Sequence, residues 1–102
     1  MVQFTILLPL FYNDGTPVPV DLITRTEDEL LEFFGGVSTD TARVRGKWVS
    51  EGTLYEDLLL RITVACAGTT AQREFVRELK QALKSRFQQE DVWVTVQQVE
   101  II

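Results

Sequence analysis

Short apolar runs and amphipathic segments follow one another along the chain, and this pattern predicts strands and helices in a definite order. The segment 4–10 is a continuous apolar run, which is typical of a strand buried on both faces. The segments 37–49 and 54–67 alternate with a period of two, as half-buried strands do, and segment 51–53 between them predicts a hairpin turn. The valine-rich segment 91–102 predicts the last strand.

Two segments have the period of an amphipathic helix. The first helix is predicted to begin near Thr26, because Thr26-Glu27-Asp28-Glu29 has the form of a capping box. It is predicted to end at Gly35-Gly36, since glycine adopts the left-handed conformation of a helix C-terminus at little cost. The second helix is predicted to begin after Gly68 with a threonine as N-cap. Its apolar positions recur at helical spacing: Phe75, Val76, Leu79, Ala82, Leu83 and Phe87.

The order strand, helix, strand, strand, helix, strand predicts one α+β domain over residues 1–102. The arrangement that fits this order is the ferredoxin-like split βαββαβ fold. We therefore expect a four-stranded antiparallel sheet of order 4-1-3-2, with both helices on one face because the crossovers are right-handed.

The sheet face away from the helices is the most informative feature of this prediction. Alternation places Val44 and Trp48 of the second strand on the helix side, and it places polar residues of that strand on the open face: Thr41, Arg43, Arg45 and Lys47. Four apolar residues share the open face: Leu7, Leu59, Tyr55 and Trp93. An apolar patch rimmed by charge commonly marks an interface, so we expect a homodimer that packs two open faces together. The alternative is a monomer with a few exposed aromatic residues.

Composition narrows the possible functions. The net charge of −5 disfavours binding to nucleic acid or to anionic lipid, since both need a clustered cationic surface. The single cysteine, Cys66, lies in an apolar run and is predicted to be a small buried hydrophobe in a reduced, cytoplasmic protein. The sequence has no histidine, which excludes a histidine-based triad, a histidine metal site and the commonest general base. We assign no metal site and expect no cofactor. The first apolar run lacks the features of a signal peptide and is too short to span a membrane.

The cations of the open face suggest a small anionic ligand. Arginine binds phosphate and carboxylate in a bidentate manner, but the favoured interpretation of these cations is cross-strand pairing with Asp57, Glu51 or a partner subunit. The residues predicted to bind the ligand are the arginines and the aromatic residues beside them: Arg43, Arg45, Tyr55, Arg61 and Trp93.

No catalytic residue is assigned. Glu56 and Asp57 are adjacent on a strand and point to opposite faces, so they cannot act together as acid and base. The sequence favours a non-catalytic domain that binds a small ligand or a protein. The alternative is a small cofactor-free enzyme that uses Arg45, Tyr55 or Asp57.

Several short motifs carry a resemblance to a known group: Leu8-Pro9-Leu10, Asn13-Asp14-Gly15, Phe34-Gly35-Gly36, Gly46-Lys47-Trp48, and Phe87-Gln88-Gln89 followed by Val92. Together they resemble a group of small bacterial proteins of uncharacterised function, which implies a compact domain and no catalytic residues. The layout is also similar to that of dimeric ferredoxin-like barrel proteins, some of which are monooxygenases or sensors. The haem-dependent members of that class use histidine ligands, which this sequence lacks.

Overall fold

The computed structural model describes residues 1–40 and 42–102, and these residues form one antiparallel sheet and two helices. The elements are β1 (Val2–Pro9), α1 (Val20–Phe34), β2 (Ser38–Thr39), β3 (Val44–Ser50), β4 (Thr53–Cys66), α2 (Thr70–Arg86) and β5 (Trp93–Gln98). The sheet has the order β2-β4-β1-β5, and β3 also pairs with β4. The α+β class with an antiparallel sheet is therefore confirmed, although the number and order of the strands differ from the prediction.

The difference arises because the predicted second strand is two strands. β2 and β3 both pair with β4, in the pairs Thr39–Ile62 and Val44–Leu59. From one pair to the next, the segment that contains β2 and β3 advances five residues, whereas β4 moves by only three. Extra residues on one strand interrupt the ladder as a bulge does. The described sheet thus has five strands, and the four-stranded order 4-1-3-2 was wrong. The face predicted for Thr41 lies outside the described residues.

Helix α1 begins seven residues earlier than its capping-box motif predicts. Its N-cap is Pro19, whose φ of −58° is compatible with entry into a helix. Thr26 is fully buried inside the helix, and its hydroxyl donates a hydrogen bond of 2.9 Å to the carbonyl oxygen of Leu22. The predicted end is confirmed, since Gly35 has a φ of +80° and its amide donates to the carbonyl oxygen of Leu31.

The predicted start of α2 and the predicted hairpin turn are both confirmed. The Thr69 hydroxyl accepts a hydrogen bond from the Gln72 amide, and the Gln72 side chain accepts one from the Thr69 amide, so the two residues form a capping box. The β3–β4 hairpin turns through Glu51 and Gly52, whose φ values of +50° and +78° are those of a type I′ turn.

Both helices pack on the same side of the sheet. Phe33 of α1 stacks on Phe75 of α2 with 3.9 Å between ring centroids, and Thr39 of β2 donates a hydrogen bond to Glu27 of α1. Cys66 is buried as predicted. The main core consists of buried residues from the helices, from the sheet face below them and from the segments that join these elements: Ile6, Leu8, Val18, Ile23, Leu30, Ile62, Val64, Leu79, Leu83, Phe87 and Val92. Neither helix described here is long and apolar enough to cross a membrane.

One buried ion pair joins the two helices. Arg86 of α2 places Nη2 at 2.6 Å from Oε1 of Glu29, and its Nη1 donates to the Thr26 hydroxyl at 2.9 Å. The Arg86 side chain is only 8% exposed and the Glu29 side chain is 33% exposed, so this contact is partly shielded from water. This contact could not be predicted from the sequence, because Glu29 and Thr26 lie 57 and 60 residues away from Arg86 along the chain.

Candidate functional site

The sheet face away from the helices carries a row of apolar side chains. Residues directly opposite each other on paired strands share a face. Leu7 of β1 lies between Arg61 of β4 and Trp93 of β5. Leu59 is the next residue of β4 on this face, on the side of Arg61 that leads to the hairpin turn. Leu7 and Leu59 are half-buried, whereas Trp93 is 64% exposed. The residues predicted for the dimer interface therefore share one face, with Tyr55 nearer the hairpin end.

The faces predicted for β3 were wrong. Val44 is opposite Leu59 and Trp48 is opposite Tyr55, so both apolar residues lie on the open face. Arg45 is opposite Leu58, which places it on the helix-side face of the sheet. Periodicity defines two faces of a strand but does not say which one meets the core, and here the pairing with β4 decides it.

This exchange of faces separates the predicted cation cluster. Lys47 is opposite Glu56 and pairs with it at 3.2 Å on the helix-side face. Arg61 lies on the open face and pairs with Asp40 at 3.1 Å. Arg43 is exposed and precedes β3. The cations therefore do not converge on one anion, and cross-strand pairing accounts for Lys47.

A cleft of about 660 Å³ lies between the β3–β4 hairpin and the loop after β1. β1 ends at Pro9 opposite Leu59, and the Leu10 amide makes one more hydrogen bond to the Leu58 carbonyl oxygen, so the hairpin projects beyond β1. The cleft is lined by residues of the loop and of the hairpin: Phe11, Tyr12, Asn13, Gly15, Arg45, Trp48, Tyr55, Glu56, Asp57 and Leu58.

The loop on one side of the cleft is held by its own hydrogen bonds. Oδ1 of Asp14 accepts hydrogen bonds from the amide and the hydroxyl of Thr16, and these bonds lower the pKa of Asp14. Phe11 pairs with Pro17 across the turn, and Gly15 has a φ of +87°. The predicted turn is confirmed, and the Asp14 carboxylate is engaged within it.

An aromatic pair forms the hairpin side of the cleft. The rings of Trp48 and Tyr55 are stacked, with 5.8 Å between centroids and 14° between planes. Both side chains remain partly open to water, at 43% and 46% exposure. Gly46 makes room beside the pair, since a Cβ atom there would lie 3.1 Å from Cδ1 of Leu59.

Asp57 is the acidic residue that shares the face of this aromatic pair. It is opposite Gly46 and half-buried, and burial raises the pKa of its carboxyl group. Within residues 1–40 and 42–102, no lysine or arginine lies within ion-pair distance of Asp57. The carboxylate is therefore partly desolvated without a compensating charge.

Of the residues predicted to bind a ligand, Arg45 and Tyr55 line the cleft, whereas Arg43, Arg61 and Trp93 do not. Three aromatic residues of the cleft were not among the predicted site residues: Phe11, Tyr12 and Trp48. A usable signal was the aromatic dipeptide directly before the Asn13-Asp14-Gly15 turn, because that loop must lie beside the hairpin that pairs with β1.

The raised pKa of Asp57 leads to a test of stability against pH. Because the carboxyl pKa is higher in the folded protein than in the unfolded chain, ionised Asp57 destabilises the fold above that folded-state pKa. Asp57→Asn should therefore raise the thermal midpoint at neutral pH, and the gain should vanish below the ordinary carboxyl pKa. Asp14→Asn is the control of opposite sign, since the lowered pKa of Asp14 makes its ionised form stabilising. A lower midpoint for Asp57→Asn at neutral pH would contradict this account.

A smaller cavity of about 190 Å³ lies between α2 and β5 and has three cations on its rim. Nε of Arg73 donates to the Gly68 carbonyl oxygen, Arg77 pairs with Glu74, and Lys80 pairs with Asp91. Each cation thus has a partner within the fold. Among the residues that the structure describes, no group of three or more acidic or cysteine side chains is placed to hold a metal ion.

Comparison with known proteins shows the fold of this chain but no family. No protein-family profile and no curated protein matches it. A phage SAM lyase in complex with S-methyl-5'-thioadenosine matches with a TM-score of 0.70 and 19% identity, covering 94% of this chain and 79% of that one. A mutant of CutA1 from Pyrococcus horikoshii OT3 matches with a TM-score of 0.64 and 13% identity, covering 100% of this chain and 86% of that one. These likenesses support a ferredoxin-like type of fold. Membership of the bacterial group stays a prediction.

Proposed function

We propose that this protein is a non-catalytic domain that self-associates through its open sheet face and binds a small ligand in the hairpin cleft. The observation that carries the proposal is the uncovered apolar row on that face, in which Leu7 and Leu59 lie beside the exposed ring of Trp93. An apolar patch of this kind usually marks an interaction surface.

A twofold dimer suits this patch because the same residues can serve both subunits. Leu7, Leu59 and Trp93 would lie near its centre beside Arg61, whose charge is paired with Asp40 of the same subunit. The side chains further out on this face are uncharged: Thr5, Thr63 and Thr95 on one side, and Pro9 and Val44 on the other. The hairpin projects past β1, so Tyr55 would lie at the margin, where the cleft begins. The ligand site and the interface would therefore be neighbours.

Light scattering tests the proposed self-association. The wild-type chain should have twice the monomer mass, and Leu59→Glu should have the monomer mass because a buried, unpaired carboxylate is costly at an interface. Leu31→Glu is the matched control, since Leu31 is 49% exposed on α1 and lies far from the open face. That variant should keep the mass of the wild type. A monomeric wild-type chain, or a Leu59→Glu variant that stays dimeric and folded, would overturn the proposed interface.

A cofactor-free enzyme is the second candidate, and the similarity to a phage SAM lyase favours it. The cleft holds Tyr12, Tyr55 and Asp57, and the raised pKa of Asp57 suits a group that exchanges a proton with a substrate. Incubation with SAM, followed by chromatography for S-methyl-5'-thioadenosine, tests this candidate. Product that disappears in Asp57→Asn would support it, and a blank reaction at high protein concentration would reject it for this substrate.

A further inference from the structure

The aromatic walls of the hairpin cleft have the electrostatic character of a cation site. Trp48 and Tyr55 stack on each other, and each is still partly exposed to the cleft. Phe11 and Tyr12 line the opposite side and are half-buried, so they are held in place by the loop. The face of an aromatic ring carries partial negative charge and attracts a cation within about 6 Å of the centroid.

The charges around the cleft also favour a cationic ligand. Asp57 lies on the face of the aromatic pair, and in the part of the chain that the structure describes it has no cationic partner. Glu56 points to the other face, where Lys47 neutralises it. Arg45 is the cation among the described lining residues, and its pairing with Leu58 places it on that other face as well. The aromatic side of the cleft thus holds one carboxylate that lacks a counter-charge.

We propose that this cleft binds a small organic cation, with its methylated ammonium group against Trp48 and Tyr55 and its charge paired with Asp57. A quaternary ammonium group suits both features, because it is weakly hydrated, fits an aromatic surface and gains from a nearby carboxylate. The ligand class is therefore opposite in charge to the anion that the arginine pattern suggests. This inference rests on the proposed binding function and specifies what the cleft accepts.

The test compares choline with 3,3-dimethylbutan-1-ol, which has the same shape and no charge. The chain has two tryptophans, so a Trp93→Phe variant leaves Trp48 as the sole fluorescent indole in the cleft. Choline should change the Trp48 emission and bind about a hundredfold more tightly than the neutral alcohol, because the cation–π contact and the pairing with Asp57 should each contribute about tenfold (~1.4 kcal/mol). Calorimetry with the wild-type chain should give the same ratio.

Two variants separate the charge from the aromatic surface. Asp57→Asn should weaken choline binding about tenfold and leave the alcohol unchanged, because a charge-assisted contact is lost while the ring surface remains. Asp28→Asn should leave both affinities unchanged, since Asp28 is exposed on α1 and does not line the cleft.

The other outcomes are equally informative. Equal affinity for choline and the alcohol would overturn the cation assignment. Binding of inorganic phosphate that depends on Arg45 would also overturn it, because the cleft would then be a site for an anion. No binding of any probe would overturn the cleft as the site. Light scattering measures self-association independently of ligand binding. An error in the proposed ligand can therefore be distinguished from an error in the proposed dimer interface.

Discussion

Truncation of Phe87 to alanine should destabilise the fold by about 3–5 kcal/mol, the cost that a fully buried phenylalanine usually carries. Phe87 is 0% exposed at the C-terminal end of α2, and its amide donates a hydrogen bond of 2.9 Å to the Leu83 carbonyl oxygen. Its ring belongs to the core cluster that contains Ile62 of β4 and Leu30 of α1. Removing the ring therefore leaves a cavity among both helices and the sheet.

Urea unfolding measures this effect. A domain of this size has a total stability of about 5–15 kcal/mol, so the midpoint for Phe87→Ala should fall far below that of the wild type. Phe33→Ala is the matched control, because Phe33 is 45% exposed although it stacks on Phe75. That change should cost about 1 kcal/mol. Equal losses for the two variants would show that the Phe87 side chain does not support the core as described.

Loss of the arginine that joins the two helices should have the second largest effect. Arg86→Met should cost about 2–3 kcal/mol, because it leaves the partly buried Glu29 carboxylate with only the exposed Arg25 as a donor and removes the donor to the buried Thr26 hydroxyl. This loss of stability is smaller than the loss expected for a fully buried ion pair, since the Glu29 side chain is one-third exposed. Glu29→Leu combined with Arg86→Met should recover much of the loss, because no uncompensated charge remains.

A double-mutant cycle on these variants gives the coupling energy. Arg25→Met is the matched control, since Arg25 also pairs with Glu29, at 3.2 Å, but its side chain is 65% exposed. An exposed pair of this kind is worth about 0–1 kcal/mol, so the control should change stability little. Similar losses for Arg25→Met and Arg86→Met would mean that the buried pair contributes no more than a surface pair.

The predictions from sequence that are confirmed rest on local chemistry. Gly35 ends α1, Thr69 caps α2, and Glu51-Gly52 makes the hairpin turn, because each depends on backbone angles or on hydrogen bonds within a few residues. The α+β class also follows from local periodicity, since a period of 3.6 or of 2 identifies helix or strand without knowledge of the partner.

Structural features that depend on contacts between residues far apart in the sequence could not be predicted from local patterns. The motif at Thr26 fits a cap, yet Thr26 lies inside α1, where Arg86 from the other helix satisfies its hydroxyl. The candidate site shows the same limit, since Tyr55 and Asp57 were singled out but Trp48 was placed on the wrong face. Its stacking on Tyr55 depends on a strand register that no single segment contains.

The amino-acid sequence by itself thus determined the α+β class, the C-terminal end of α1, the start of α2, the turns and the apolar character of the face that bears Leu7, Leu59 and Trp93, because these follow from local patterns. Only the tertiary structure decided the break between β2 and β3, the exchange of faces along β3, and the meeting of the Phe11 loop with Trp48 and Asp57. The physical reason is that pairing register is set between segments distant in the chain, and a shift of one residue moves every side chain of a strand to the other face.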